Sequence, residues 1–220
     1  MVDNIFSILV RFYPQFLNGL MVTLTLSAVA VIIGTVFGSM LALCKMSGNK
    51  VLRLLVNIYI EVVRGTPLLL QLYIVHFMLP QVLGFSIDTF PSVLTALVLN
   101  SAAYVAEIIR AGIQAVDKGQ TEAARSLGLS KTQTMLRVVL PQAVKNILPT
   151  LCNEFIMVIK ETSLASVFFI GDLMTSVHVL RGALFLTMEP LIIAGVIYFC
   201  VTFTLSKLVY FYERRMAAGD

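Results

Sequence analysis

The sequence predicts an all-helical integral membrane protein with five transmembrane helices, and three observations predict it. Of the 220 residues, 58% are hydrophobic and only 13% are charged, with a mean hydropathy of +0.91. Soluble domains carry about 25% charged residues, so this chain has too few charges to cover a surface facing water. Five apolar segments reach the roughly 20 residues that a helix needs to cross the hydrocarbon core. Basic residues gather in the connections on one side of these segments.

The first predicted span is the most apolar of the five. It has no charged residue between Arg11 and Lys45, and it contains the pair Gly34 and Gly38, which predicts a close helix contact. The second and fourth spans carry internal charges, and charges at membrane depth are candidates for function. The predicted spans cover residues 20–44, 54–79, 90–109, 147–169 and 190–210.

The basic residues also predict the orientation. Lys and Arg concentrate in the short cytosolic connections of membrane proteins. With five spans, twelve of the 16 basic residues fall on one side, whereas the opposite loops, 80–89 and 171–189, contain only Arg181. The N-terminus is therefore predicted outside and the C-terminus in the cytosol. The twelve are Lys45, Lys50, Arg53, Arg110, Lys118, Arg125, Lys131, Arg137, Lys145, Lys207, Arg214 and Arg215.

No pattern for catalysis, metal binding or nucleic-acid binding is present in the sequence. There is no GxxxxGK[ST] phosphate loop. His76 and His178 are far apart in sequence, and no CxxC spacing relates the three cysteines. The net charge of +4 comes from loops beside apolar spans, which is the distribution of a membrane protein. We therefore predict no catalytic residue, no metal and no cofactor bound by this chain.

The long connection between the third and fourth spans, residues 117–141, is predicted to contain two short helices. Each begins with a capping box, in which a polar residue caps the helix and a glutamine reaches back. Gly128 is placed to end the first helix in a left-handed turn, and Pro141 is placed to limit the second. The capping boxes are Asp117 with Gln120 and Ser130 with Gln133.

The first of these helices has a small apolar face. Ala123, Ala124 and Leu127 form it, with Glu122 and Arg125 on its rim. A helix of this kind suits docking into a groove of another protein. It also suits an amphipathic helix lying on the membrane surface, and the residue pattern leaves both open.

This stretch resembles the EAA loop of ATP-binding cassette importer permeases. The loop reads EAA, three residues, Gly, nine residues, Ile, one residue, then LP. The chain matches it at six positions and has Val138 where isoleucine is usual; the six are Glu122, Ala123, Ala124, Gly128, Leu140 and Pro141. The resemblance implies that Glu122, Ala123, Ala124, Leu127 and Gly128 form a coupling helix that seats in a cleft of an ATPase subunit.

Four further stretches resemble the polar amino-acid subgroup of these permeases: IEVVRGTPLLLQ (60–71), LNSAAYVAEIIRAGI (99–113), LPQAVKNILP (140–149) and KETSLAS (160–166). The resemblance implies one permease domain over residues 1–220, in the cytoplasmic (inner) membrane of a prokaryote. The implied function is uptake of an amino acid, driven by ATP and Mg on separate ATPase subunits. The implied partners are those ATPases, a second permease chain (identical or related), an extracellular or periplasmic solute-binding protein and membrane lipids.

Two other classes of function remain open at this stage. One is a secondary transporter driven by an ion gradient, against which stands the absence of an inverted repeat in five spans. The other is a membrane scaffold without transport activity. A scaffold would leave the charges inside the spans unexplained.

Two pairs of opposite charges lie in the predicted spans or at their ends, the second pair near the cytosolic end of the third span. Glu61 with Arg64, and Glu107 with Arg110, are three residues apart, so each pair shares one helix face. A paired charge is much cheaper in a membrane than a single one. We therefore expect two structural ion pairs.

A candidate substrate site follows from a predicted break in the second span. Pro67, after Gly65 and Thr66, should kink or open the helix and free backbone groups in the membrane. Broken helices line the substrate sites of transporters, and a simple kink that serves helix packing is the alternative. We expect Glu154, Asn100 and the backbone near Thr66 to contact the amino acid, with Glu154 accepting its ammonium or a basic side chain. The alternative is that Glu154 pairs with a basic residue of another helix and only supports the fold.

Overall fold

The structure is a computed structural model that describes residues 2–217. All regular structure within that range is helical, which confirms the predicted class. Three helices are long and apolar enough to cross a membrane, and two bent helix pairs raise the number to as many as five. The helices are α1 (Val2–Met46), α2 (Lys50–Gly65), α3 (Leu68–Tyr73), α4 (Leu79–Leu83), α5 (Thr89–Gln114), α6 (Lys118–Ser126), α7 (Lys131–Thr134), α8 (Leu140–Glu161), α9 (Leu173–Leu184) and α10 (Met188–Ala217).

Helix α1 is much longer than the first predicted span. Its 45 residues would extend about 67 Å at 1.5 Å per residue, more than twice the thickness of the hydrocarbon core. Phe12 has non-helical backbone angles (φ −118°, ψ 16°), two residues before Pro14, which lacks the backbone donor of a regular helix. Ile8 and Phe16 are buried against the α9 region, so the helix continues beyond the predicted span because it has a partner there.

Helices α1 and α5 pack closely at the glycine pair. A Cβ atom built on Gly38 would lie 2.7 Å from Val105 Cβ and 2.8 Å from the Ala102 carbonyl oxygen. A Cβ atom on Gly34 would lie 2.8 Å from Ser101 Cβ. These separations are shorter than van der Waals contact, so the two backbones can approach this closely only because both positions are glycine. The predicted close contact is confirmed.

The second span is broken where the sequence predicted it. Helix α2 ends at Gly65, α3 begins at Leu68, and the segments on either side of the break are bent by 111°. Thr66 (φ −119°, ψ 148°) and Pro67 (φ −62°, ψ 136°) are extended. Since proline disfavours the helical conformation of the residue before it, the extended backbone at Thr66 is expected.

Two π-helical turns, Ile74–Met78 and Met135–Val139, each precede a Leu-Pro pair. In both, the leucine N–H donates to the carbonyl five residues back, Leu79 to Ile74 and Leu140 to Met135. The wider turn lets the helix continue past a proline, which cannot donate and crowds the preceding turn. The expectation that Pro141 limits its helix was therefore wrong, because α8 continues from Leu140 to Glu161.

The predicted outer loop 171–189 contains a helix, α9, that was not expected. Asp172 caps it by accepting from the backbone N–H groups of Met174 and Thr175. Its buried face, Leu173 with Val177 and Leu180, packs in a cluster with residues of α1 and α10. At 12 residues α9 is too short to be recognised as a span, although it completes the core at this end of the molecule.

Candidate functional site

Gln71 of α3 closes the break in the second span. Its Nε2 donates to the Val63 carbonyl (2.7 Å), the Thr66 carbonyl (3.1 Å) and Thr66 Oγ1 (2.9 Å). Thr66 Oγ1 in turn donates to the Val62 carbonyl at 2.8 Å. Backbone carbonyls freed inside a membrane must find a donor within the protein, and one glutamine side chain supplies it here.

The same glutamine connects the break to α5. Asn100 Nδ2 donates to Gln71 Oε1 at 2.9 Å, and Asn100 is 4% exposed. The structure therefore joins two predicted site residues, Asn100 and Thr66, through a third that sequence reasoning missed. The available signal was the lone polar side chain of Gln71 in the apolar run LLLQLY.

Glu154 lies on α8 and is half-buried. Its carboxylate is beside the Ser101 hydroxyl and within electrostatic reach of Arg64 and Glu161. Ser101 directly follows Asn100, so Glu154 faces the same turn of α5 as the Gln71 network. Among the described residues, Glu154 makes no hydrogen bond to Asn100 or Thr66, so the three predicted site residues are neighbours and do not form one bonded cluster.

The ion pair predicted at the end of α5 is present. Glu107 pairs with Arg110, and Lys45 Nζ of α1 also contacts Glu107 Oε2 at 3.0 Å. Arg110 also donates to Gln114. The carboxylate therefore neutralises two cations and ties α1 to α5, which the sequence spacing alone did not indicate.

The other predicted pair is absent. Glu61 makes no ion pair or hydrogen bond with any described residue, and the Arg64 guanidinium instead lies 5.4 Å from the centre of the Tyr104 ring. A guanidinium over an aromatic face is attracted by the ring quadrupole. Arg64 is directed towards Tyr104 of α5 and not towards Glu61, so the prediction of a Glu61–Arg64 pair was wrong.

A cavity of about 390 Å³ lies between α2, α5 and α8. Arg64 and Glu107 line it from two sides, together with Asn146 and Thr150 of α8. Because Asn146, Thr150 and Glu154 are four residues apart, they form one polar stripe along α8. The stripe runs from the neighbourhood of Glu154 to the N-terminal end of α8, where the long connection ends.

Helix α6 begins as predicted with Asp117 as its cap, but the full capping box does not form. Asp117 Oδ1 accepts from the Gly119 N–H at 2.7 Å. The predicted return bond from Gln120 is not made, because the Gln120 side-chain oxygen instead faces Gln142 Nε2 of α8, at 3.5 Å. The tertiary contact with α8 has replaced the local bond.

The end of α6 follows the prediction closely. Gly128 has a left-handed backbone (φ +84°) and donates to the Arg125 carbonyl, while the Leu129 N–H donates to the Ala124 carbonyl at 3.2 Å. These two bonds make a Schellman motif. The capping box that begins α7, between Ser130 and Gln133, is complete.

The predicted apolar face of α6 is divided between the interior and the surface. Ala124 is 5% exposed and packs inside the protein, whereas Leu127 is 85% exposed and Ala123 is also on the surface. Of the three residues of this face, Ala124 is therefore turned away from the surface. Ala123 and Leu127 remain available to a partner, and the role of all five coupling residues stays a prediction.

The family of inner membrane components of binding-protein-dependent transport systems matches residues 34–218 of the chain. The arginine transport system permease protein ArtQ of Bacillus subtilis is 46% identical over 98% of both chains. The putative glutamine transport system permease protein GlnP of Rickettsia conorii is 42% identical, over 96% of this chain and 98% of its own.

Solved structures give the same result for the fold. A crystal structure of an amino acid ABC transporter with histidines is 49% identical and superposes with a TM-score of 0.91, over 94% of this chain and 96% of that one. An inward-facing structure of the MetNI methionine ABC transporter is 17% identical and superposes with a TM-score of 0.71, over 91% of this chain and 97% of that one. The fold is that of an ABC importer permease. The chain therefore belongs to the family of inner membrane components of binding-protein-dependent transport systems.

Proposed function

We propose that this chain is the permease subunit of an ATP-driven amino-acid importer. The observation that carries the proposal is the polar network at the broken second span, where Gln71, Asn100 and Thr66 lie beside the Glu154 region. Broken membrane helices with convergent polar groups are typical of transporter substrate sites. The similarity to an arginine permease and to an amino acid ABC transporter supports the substrate class.

In this proposal the whole chain is one transmembrane domain with five spans. The two bent helix pairs each count as one span, together with α1, α5 and α10. The second bent pair begins at Lys131, so α7 forms its cytosolic end, and α6 lies in the cytosol on the side of the twelve basic residues that predict the orientation. A cysteine placed at Lys131 should then react only from the cytosolic side, and one placed at Asp88 only from outside, in a chain whose three cysteines are replaced. The reverse labelling would overturn the orientation.

A second permease chain is part of the proposal. Glu61, Arg64 and Lys160 are exposed on helices that belong to predicted spans. Charges facing lipid at membrane depth are costly, so this side suits a water-filled pathway enclosed by a second chain. The remaining faces, such as those of α1 and α10, are apolar and suit membrane lipids.

ATP hydrolysis belongs to separate subunits in this family, and this chain is the transport subunit. We propose that α6 docks on such a subunit through Ala123 and Leu127, with Glu122 on the rim. ATP and Mg would bind that partner, and this chain would bind no cofactor. Closure of the ATPase pair would move α6, and the contact of α6 with the π turn before α8 would carry the movement into the pathway.

The proposed substrate position is near the middle of the spans. Glu154 accepts the ammonium or a basic side chain, and Asn100 offers an amide beside the break at Thr66. The polar stripe of Asn146 and Thr150 leads from there along the cavity towards the cytosolic end. A solute-binding protein would deliver the amino acid at the opposite end.

Co-expression with candidate ABC ATPase subunits of the same organism tests the proposal. We expect the two proteins to co-purify and the bound ATPase to hydrolyse ATP faster when the loaded solute-binding protein is added. The proposal would be contradicted if the ATPase did not co-purify, or if its rate of ATP hydrolysis were the same with and without the loaded solute-binding protein.

A further inference from the structure

A second cavity, of about 740 Å³, lies between the end of α5, one side of α6 and the segment that begins with α7. It is separate from the first cavity, which Arg64 and Glu107 line, and its own charged side chains are all cationic. Three cationic side chains, two hydroxyls and one amide surround it, with no carboxylate among the residues that line it. These are Lys118, Arg125, Lys131, Thr121, Thr134 and Gln114.

The charges of this cavity are largely uncompensated. The side chains of Lys118 and Lys131 make no ion pair or hydrogen bond with any described residue, and Arg125 donates to the Leu129 carbonyl at 2.5 Å, which does not neutralise it. Two carboxylates lie near in sequence. Asp117 caps α6, and Glu122, one turn after Lys118, forms no ion pair within the described residues. The cavity is therefore suited to an anion.

Thr134 provides an independent sign that a polar ligand belongs here. It is 2% exposed, it lines the cavity, and its hydroxyl has no hydrogen-bond partner among the described residues. Buried hydroxyls without a partner are uncommon because the lost hydration is not replaced. An oxyanion in the cavity would supply an acceptor.

The position of the cavity indicates which side it faces. Lys118, Thr121 and Arg125 share one face of α6, whereas Ala123 and Leu127 lie on roughly the opposite face, by the 100° turn per residue of a helix. If the face that carries Ala123 and Leu127 meets the ATPase, the cavity lies on the side of α6 that faces the membrane. Gln114, the last residue of α5, lines it, and apolar side chains such as Val116 and Met135 form the rest of its wall.

We propose that this cavity binds a phosphate oxyanion, supplied by the headgroup of an anionic phospholipid of the inner leaflet or by free phosphate, and thereby braces α6 against the end of α5. Phosphate oxygens accept charge-assisted hydrogen bonds from Lys and Arg, and a glycerol backbone fits the apolar wall. The proposal rests on the proposed function for the cytosolic position of α6. It makes the coupling region a sensor of membrane lipid.

The test compares four forms of the full chain in lipid nanodiscs: the wild type, Lys118→Gln with Lys131→Gln, Thr134→Val, and Lys50→Gln with Arg53→Gln. The last pair removes the same charge from another basic connection and serves as the matched control. Nanodiscs contain either phosphatidylcholine alone or phosphatidylcholine with phosphatidylglycerol. Native mass spectrometry measures the phosphatidylglycerol retained by each protein, and a titration of inorganic phosphate is made in phosphatidylcholine alone.

We expect the wild type and the control to retain phosphatidylglycerol about tenfold more than the Lys118→Gln, Lys131→Gln form. Thr134→Val should weaken retention while its unfolding temperature stays equal or rises, since a valine removes only an unpaired hydroxyl. Binding of inorganic phosphate with the same variant dependence would assign the site to free phosphate, and its absence would assign it to lipid.

Equal retention of both anions by all four forms would overturn the proposal. A Thr134→Val form that unfolds at a lower temperature with unchanged retention would also overturn the role of this hydroxyl. The readout needs neither ATP nor an amino acid, so a failure of the proposed transport function would leave these results unaffected.

Discussion

Gln71 satisfies, with one amide, the backbone groups exposed by the break in the second span. Gln71→Met keeps the length of the side chain and removes the donor, which leaves the Val63 and Thr66 carbonyls without that bond. The loss should lower the free energy of unfolding by about 1–3 kcal/mol. Thermal unfolding of the purified chain measures the effect, with Gln81→Met, at an exposed position of α4, as the matched control. Equal unfolding temperatures for the two variants would show that the break is held by other contacts.

Glu154 is the residue on which the proposed substrate position depends most. Glu154→Gln keeps the shape of the side chain and removes the charge that would accept an ammonium group, so uptake should weaken by about tenfold, or roughly 1.4 kcal/mol. Uptake kinetics measure this, and size-exclusion chromatography checks assembly. Glu213→Gln, at an exposed position near the end of α10, is the control and should transport normally. Unchanged kinetics, or failed assembly in place of weak uptake, would remove Glu154 from the site.

At the scale of an element, the contact between α1 and α5 reverses the usual preference for alanine over glycine. Alanine stabilises a helix by about 1 kcal/mol relative to glycine. At Gly38, however, its methyl group would collide with Val105 and the Ala102 carbonyl, so Gly38→Ala should destabilise the chain by about 1–3 kcal/mol. Gly195→Ala in α10 meets nothing within 4 Å and should be neutral or stabilising. Denaturation of both variants in the same detergent shows whether each substitution stabilises or destabilises the chain. A Gly38→Ala variant as stable as the wild type would contradict this packing.

Helix α6 gives a second prediction at this scale. Ala123 is exposed on the face proposed to dock, so Ala123→Glu should leave the fold intact and disrupt the contact, at a cost of about 1–3 kcal/mol from overpacking and more for an unpaired buried charge. The measurement is stimulation of the partner ATPase by the purified permease. Ala123→Ser, which stays small, should stimulate normally. Normal stimulation by Ala123→Glu would move the docking surface away from this face.

Most features that depend on neighbours in sequence were predicted well, although the Glu61–Arg64 pair and the Gln120 return bond were not, and most features that depend on tertiary partners were missed. The left-handed turn at Gly128 and the break at Pro67 follow from local chemistry, and the close contact at Gly38 is a tertiary feature that the spacing of two glycines indicated. The Gln71 amide and the second cation on Glu107 required knowledge of which helices meet. Pro141 was misread because a π turn, invisible in the pattern of residues, allows the helix to pass it.

At the scale of the whole molecule, the composition, the length of the apolar segments and the charge distribution predicted an all-helical membrane protein. They did not predict α9, because a 12-residue helix with His178 and Arg181 resembles a polar loop until its partners in α1 and α10 are known. The candidate site was predicted in part for the same reason. Glu154, Asn100 and Thr66 stood out individually as polar groups in apolar segments, but the bond from Asn100 to Gln71 joins residues 29 positions apart.

The central claim is that this chain carries an amino acid across the membrane at the expense of ATP. Its most direct test is uptake of labelled amino acids into proteoliposomes that contain the permease, its ATPase and the solute-binding protein. We predict uptake that requires hydrolysable ATP on the ATPase side and persists when sodium and proton gradients are collapsed. Uptake driven by an ion gradient without ATP, or ATP hydrolysis without uptake of any amino acid, would contradict the claim.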